Sequence, residues 1–235
     1  MRVRCEQELF EKFPGASIHG VVFDHLDMLK RGADRVWKGR ALESVRESGI
    51  SPEFLAEVPE IKAWRSAFQS FGLKPSKYRS SIEQLYRRAL KGDLIETRLP
   101  LVNLYCYVSI LHRAPMGAYD LEKTRGNICV RPARGGEEFM AIGEKQAAQC
   151  EAGVIVYADT EGIICWGWNH RDSARTCLGL DTHRAIFFAD SSDTVTRRAA
   201  EEAINTLTAA LVSYGCVKLT SFALDHGRCE TELLI

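Results

Sequence analysis

A change of hydrophobic period near Asp120 constrains this chain more than any other feature. Before it, apolar residues recur at helical spacing, and successive runs stop at Gly49, Gly72 and Gly92. After it, they fall into short alternating or continuous runs separated by turn residues, the pattern of strands. Helices first and a sheet afterwards, with one more long helix, predict an α+β fold: a mostly antiparallel mixed sheet packed with helices.

Residues 1–60 read as mostly helical around one early strand, Ser17–Phe23, forming an extension packed on the remainder of a single domain over 1–235. Asp24 is placed to cap a helix toward Lys30, a second helix runs from Asp34 to Glu47, and Ser51-Pro52 restarts the chain with proline at a first helical position. Ile61–Phe71 follows as an amphipathic helix. Ser80 and Glu83 form the S-x-x-E capping pattern ahead of Ile82, Leu85, Tyr86, Ala89 and Leu90. A further helix spans Leu101–Leu111. The predicted strands are Ile128–Arg131, Glu138–Ile142, Gly153–Tyr157, Ile163–Trp168 and Ala185–Phe188, with hairpin turns at Gly135-Gly136 and Asp159–Gly162. A helix over Thr194–Tyr214 and a last strand over Val217–Leu224 complete the reading.

The 235 residues, 46% hydrophobic and 26% charged, suffice for a buried core without staples. No apolar run reaches the roughly 20 residues of a membrane span. The N-terminus lacks the apolar stretch of a signal peptide, so a cytoplasmic protein is expected. Eight scattered cysteines without a C-x-x-C fit reduced, buried thiols. Cys165, His170, Cys177 and His183 match no zinc spacing, and phosphate-loop and dinucleotide motifs are missing, so no metal or cofactor is expected. Zero net charge argues against indiscriminate nucleic-acid binding, yet Lys62–Arg98 carries nine cations against three acids.

Three segments concentrate chemistry. Lys77-Tyr78-Arg79 lies just before a capped helix, where unpaired backbone N–H groups and the helix dipole favour an anion. The second is Leu101–Val108 with Ala114–Asp120, in which Pro115 and Gly117 predict a turn and Asp120 a cap. The third is Cys165–Thr176, where a strand ends in Asn169, His170, Arg171 and Asp172. There Trp166 and Trp168 suit sheet packing better than base stacking, and His170 suits a surface position better than acid–base work.

In this order, the segments resemble the B3/B4 domain, the editing domain of the bacterial phenylalanyl-tRNA synthetase β subunit and its free-standing relatives. Leu101-Val-Asn-Leu-Tyr-Cys-Tyr-Val108 is similar to that family's V-V-D-V-T-N-Y-V, and Pro115-Met-Gly-Ala-Tyr-Asp120 to its P-M-H-A-F-D. Gly126–Arg131 with Gly136–Phe139 resembles the strand pair that follows. The Lys77–Glu83 helix start and the Trp168–Asp172 lip look like the free-standing members. The likeness covers residues 60–190.

The resemblance implies hydrolysis, in trans, of the ester joining a wrong amino acid to the 3′ end of a tRNA. DNA and membranes are not expected partners, and protein partners stay open. By this likeness Lys77, Tyr78 and Arg79 would hold a terminal phosphate. Tyr119, Asp120, Arg171, Asp172 and Phe188 would line the substrate site, while Tyr119 and Asn169 orient the amino acid or the ribose. Backbone N–H groups near Gly117 or in the 168–172 lip would stabilise the oxyanion, leaving no side chain as an evident general base. Cys106 is the candidate nucleophile, without an identifiable histidine partner. The chain departs from the family at three points: the family's asparagine falls at Cys106, its histidine at Gly117, and the glutamate that reads the side chain near Phe188. A shallower or more apolar pocket, with selectivity other than for tyrosine, is therefore expected. A binding module that keeps the fold without hydrolysis is the alternative.

Overall fold

Strands on both sides of Asp120 meet in two sheets, so the change of period does not separate two structural halves. The structure is a computed structural model that describes residues 1–234. Its elements in chain order are β1 (Arg2–Cys5), α1 (Gln7–Lys12), β2 (Ser17–Asp24), α2 (Arg35–Glu47), α3 (Pro59–Ser70), α4 (Ser81–Ala89), α5 (Pro100–His112), β3 (Met116–Asp120), β4 (Ile128–Pro132), β5 (Glu137–Phe139), β6 (Ala148–Cys150), β7 (Ile155–Ala158), β8 (Ile163–Trp166), β9 (Arg171–Asp172), β10 (Ala185–Ser191), α6 (Thr194–Ser213), β11 (Val217–Leu224) and β12 (Glu230–Glu232).

One sheet has the order β12-β1-β4-β7-β8-β9 and the other β11-β2-β10-β3; β5 and β6 form a small ribbon. Every pairing is antiparallel except β1 with β4. This is the predicted α+β class.

The four-stranded sheet is covered on both faces, which explains why β10 is buried along its whole length. Ile186 and Phe188 face a core shared with the six-stranded sheet and α3, whereas Phe187 and Ala189 face a second core beneath α5 and α6. Helix α5 is buried almost all round, as expected of a helix apolar on every side. Asp193 caps α6 by accepting from the Thr196 N–H at 3.0 Å.

Several sequence expectations need correction. Arg2–Cys5 is a strand: Val3 and Cys5 point inward, Arg2 and Arg4 outward, and four residues are too few to reveal the alternation beside an adjacent helix. The segment after Asp24 forms only a 3-10 turn at Leu26–Met28. Pro52 lies in a turn, and Pro59 occupies the first helical turn instead. Gly135-Gly136 joins strands of different sheets, because β4 pairs with β1 and β7 while β5 pairs with β6. Pro115 and Gly117 do not make a turn: Met116–Asp120 is the edge strand β3, paired with β10. An edge strand tolerates a preceding proline, which has no N–H to give.

Candidate functional site

The register of β3 on β10 builds one wall of a cleft between the two sheets. Gly117 lies opposite Phe188 and Tyr119 opposite Ile186, so Gly117, Tyr119, Phe188 and Asp190 share a face. The six-stranded sheet supplies Tyr157, Cys165 and Asp172. Ser81, at the start of α4, and the Trp168–Arg171 lip close the rim. The cleft measures about 60 Å³, well below the roughly 300–1,000 Å³ of a drug-sized ligand site. It suits a reacting centre and a small side chain. A Cβ at position 117 would stand 3.6 Å from the Tyr119 hydroxyl and 4.0 Å from Asp172 Oδ1, so the glycine leaves Asp172 and Tyr119 uncovered.

A strained turn delivers the lip. Gly167 and Trp168 both have positive φ, 69° and 63°; for tryptophan this costs on the order of 1–3 kcal/mol. The conformation is held by the Trp168 N–H to the Ile155 carbonyl at 2.6 Å and by an indole packed against Phe13, Trp64 and Phe71. Trp168 is thus a packing residue, as expected, and its strain points Asn169 at the cleft. Asn169 is 8% exposed, and neither its amide nitrogen nor its oxygen has a hydrogen-bond partner among the described residues. Buried amides are nearly always paired, so this one is free to meet a ligand.

Two carboxyls face it. Burial raises Asp190 to about 7, a rise opposed by the Tyr157 hydroxyl that donates to it. The Asn169 amide and Trp168 indole lie near enough to offset more of the rise without closing hydrogen bonds. Burial likewise raises Asp172 to about 6, against donors at Cys165 and Tyr119; the Tyr119 hydroxyl is 3.4 Å from Oδ1. The Asp172 residue is half-buried, but its carboxyl turns inward toward those groups. Neither carboxylate forms an ion pair among the described residues, because Arg171 at the rim bonds Glu144 at 3.0 Å instead. Two carboxyls titrating near neutrality can exchange a proton with a bound ligand, and the unpaired amide can donate to it. They also give the small cleft a polar floor. Asp172 supplies the general-base candidate that the sequence reading did not find.

The basic turn docks on the outside of this lip. Tyr78, Trp166 and His170 form an edge-to-face trio with centroids 5.2–5.5 Å apart. The Arg79 carbonyl lies 2.7 Å from His170 Nδ1, and the Ser81 N–H donates to the Asn169 carbonyl at 3.0 Å. The α4 N-terminus is therefore partly occupied by the lip. Ser80 caps α4 through the Glu83 N–H, but the Glu83 side chain does not return the bond; its buried carboxylate gathers Arg65, Arg79 and Arg87 at 2.8, 3.5 and 3.0 Å. Arg79 is thereby engaged. Lys77 stays exposed, 4.9 Å from the Tyr78 ring centre, and Lys74 lines an adjoining groove of about 650 Å³ with Lys62 and Arg65.

The structure thus brings Gly117, Tyr119, Asn169, Arg171, Asp172 and Phe188 to one cleft and sets Lys77, Tyr78 and Arg79 behind its rim. Two sequence candidates lie elsewhere. Cys106 is buried in the second core, where burial pushes its thiol up to about 12; too little thiolate exists near neutral pH for a nucleophile. Asp120 points away from Tyr119 and caps its own turn, accepting from the Glu122 N–H at 2.9 Å and the Thr182 hydroxyl at 2.7 Å. Sequence reasoning missed Asp190 and Tyr157. Continuing the alternation of β10 two residues past Phe188 reaches Asp190 on the same face, whereas no sequence signal pairs Tyr157 with it.

A larger cleft of about 750 Å³ opens among Arg31, Arg35 and Arg98 over Asp34 and Asn103. Asn103 donates to Asp34 at 2.9 Å, and no unpartnered buried side-chain atom lines it among the described residues. The smaller cleft is therefore the candidate site.

The family model described as the B3/4 domain matches residues 63–218. The chain is 26% identical over 155 residues to a phenylalanine–tRNA ligase β subunit of Neisseria meningitidis, covering 62% of this chain and 18% of that protein. It is 36% identical over 62 residues to the corresponding subunit of Ruegeria pomeroyi, covering 26% of this chain and 8% of that protein. The matches thus span less than a fifth of those relatives. Among solved structures, an N-terminal fragment of the phenylalanyl-tRNA synthetase β subunit from Pyrococcus horikoshii shares the fold, with a TM-score of 0.52 at 11% identity over 94% of this chain and 53% of that one.

Proposed function

Because the chain belongs to the B3/4 domain family, we propose that it acts as a free-standing editing factor that hydrolyses the ester bond of mischarged aminoacyl-tRNA. The observation that carries this reading is the cleft itself, where an unpaired buried amide faces carboxyls that titrate near neutrality.

An aminoacyl ester is already activated, so a site must chiefly place water and stabilise the oxyanion. Asp172 accepts a proton from the attacking water as the hydroxide bonds to the carbonyl carbon; when the tetrahedral intermediate collapses, the bond to the ribose oxygen breaks and Asp172 returns that proton to it. The Asn169 amide N–H donates to the developing oxyanion, and Tyr119 holds Asp172 in place. No covalent intermediate on Cys106 is required. Lys74 and Lys77, which have no carboxylate partner among the described residues, lie where the tRNA backbone would approach, with Tyr78 and Trp166 flanking the terminal nucleotide. This shifts phosphate contact from Arg79, already engaged by Glu83, to the two lysines.

Incubation with a panel of mischarged tRNAs tests the reading. We expect deacylation above background with at least one small aminoacyl group and a fall of 10-fold or more in Asn169→Ala. Retained tRNA binding with no turnover across the panel would leave a binding module. That second reading is favoured by Cys106 and Gly117 standing where the resemblance expects polar residues.

A further inference from the structure

Asp190 is not needed for the hydrolytic step, yet it is the more deeply buried of the cleft's two carboxyl residues. It is 4% exposed, at the end of a strand buried along its length. One of its oxygens accepts from the Tyr157 hydroxyl; the Asn169 amide and the Trp168 indole lie beside the carboxyl without closing hydrogen bonds, so an incoming donor can still reach it. No Lys or Arg pairs with it among the described residues. Across from it stands Asn169, nine-tenths buried, whose side-chain oxygen has no donor. A buried carboxylate without a counter-charge is costly, and here a second carboxylate, Asp172, adds repulsion. An arriving cation relieves both penalties.

The shape of the cleft limits which cation fits. With about 60 Å³ available, a primary ammonium can enter, whereas a planar guanidinium with its five donors asks for more room and more acceptors. An ammonium offers three N–H donors. Asp190 and the Asn169 oxygen satisfy two, and the third faces the open rim. The Tyr119 and Tyr157 rings, 6.0 Å apart, lower the polarity around the carboxyl and strengthen the charge pairing.

We propose that Asp190, steadied by Tyr157 and joined by the Asn169 side-chain oxygen, forms an ammonium subsite that selects substrates with an unblocked α-amino group. The identity of that amine as the aminoacyl α-amine rests on the hydrolase reading; the subsite itself rests on the geometry. Asn169 then bridges the amine and the reacting carbonyl, oxygen to one and nitrogen to the other. The α-carbon that joins them in the substrate sets a matching distance.

The test uses amide-linked analogues that cannot be hydrolysed: glycyl, alanyl and seryl derivatives of 3′-amino-3′-deoxyadenosine, each with a free or an acetylated amine. Calorimetric titration into the full chain at pH 7.5 should show at least one free-amine analogue binding 10-fold or more tighter than its acetylated twin. In Asp190→Asn that ratio should fall below 3-fold. Equal binding of the two forms, preference for the acetylated form or no binding of any analogue overturns the subsite. The comparison on the unaltered protein stands even if the variant does not fold. Amine-selective binding without ester hydrolysis would keep the subsite and remove the hydrolase. Equal hydrolysis of free and N-acetylated aminoacyl-tRNA would do the reverse.

Discussion

The Asn169 side-chain amide makes no hydrogen bond among the described residues. Replacing it with alanine removes two unsatisfied buried atoms, a change that is close to neutral or stabilising. Asn169→Ala should therefore unfold within a few degrees of the unaltered protein in a thermal melt while losing most of its deacylation rate; a large loss of stability would show a structural role instead. Asp190 carries a pH signature. Its folded value, about 7, lies above the usual 3.8, so the folded state binds the extra proton and stability falls as pH rises from about 4 to 7. The groups facing it are Asp172, Tyr157, Asn169 and Trp168. Asp190→Asn lacks that slope, so denaturant titrations should show its stability gaining on the unaltered protein over the same range. Parallel curves would contradict the buried, raised carboxyl. At this scale the sequence exposed Gly117, Tyr119, Asn169, Asp172 and Phe188, because motif order placed them. It hid Asp190 and Tyr157, because their partnership arises only where two sheets pack.

Among the elements, α4 shows how a motif can be right in place and wrong in wiring. Ser80 caps the helix, but Glu83 turns inward to three guanidiniums rather than back to the cap. Ser80→Ala should cost about 1 kcal/mol. Glu83→Ala should cost more, roughly 2–3 kcal/mol, below the 3–5 of a fully buried pair because the guanidiniums keep some solvent. It should also loosen Arg79 and hence the Tyr78–His170 contact. Urea titrations of the two variants check the order, and a Glu83 variant as stable as Ser80→Ala would contradict the hub. Strand β3 shows the opposite failure. Pro115 and Gly117 signal a turn locally, and pairing with the buried β10 overrides them. The strongly patterned elements, α2, α5, α6 and β11, needed no such help and fell within one or two residues of their predicted ends.

For the whole molecule, the first 60 residues are more than a helical layer. β1 lies between β12 and β4, and β2 lies between β11 and β10. Their pairing partners are distant in sequence, so single-sequence periodicity could mark β2 but could not reveal how either strand joins the sheets. A fragment lacking residues 1–60 would open both sheets at interior positions and uncover Phe188 and Ile186. It should lose cooperative thermal unfolding and the near-ultraviolet signal of packed aromatics; a cooperatively folding fragment would show that these strands are dispensable. The family match covers residues 63–218, so the matched stretch alone lacks β1 and β12 from one sheet and β2 with most of β11 from the other.

The central claim is that Asp172 serves as the base of an ester-hydrolysing cleft. It is tested most directly by single-turnover deacylation of the best mischarged tRNA from pH 5 to 8, corrected for spontaneous hydrolysis. The rate should rise through one ionisation near pH 6, matching the raised Asp172 carboxyl, and reach a plateau. Asp172→Asn should flatten the profile and lower the plateau 100-fold or more. A profile unchanged by that substitution, or no enzyme-dependent rate at any pH, would contradict the account.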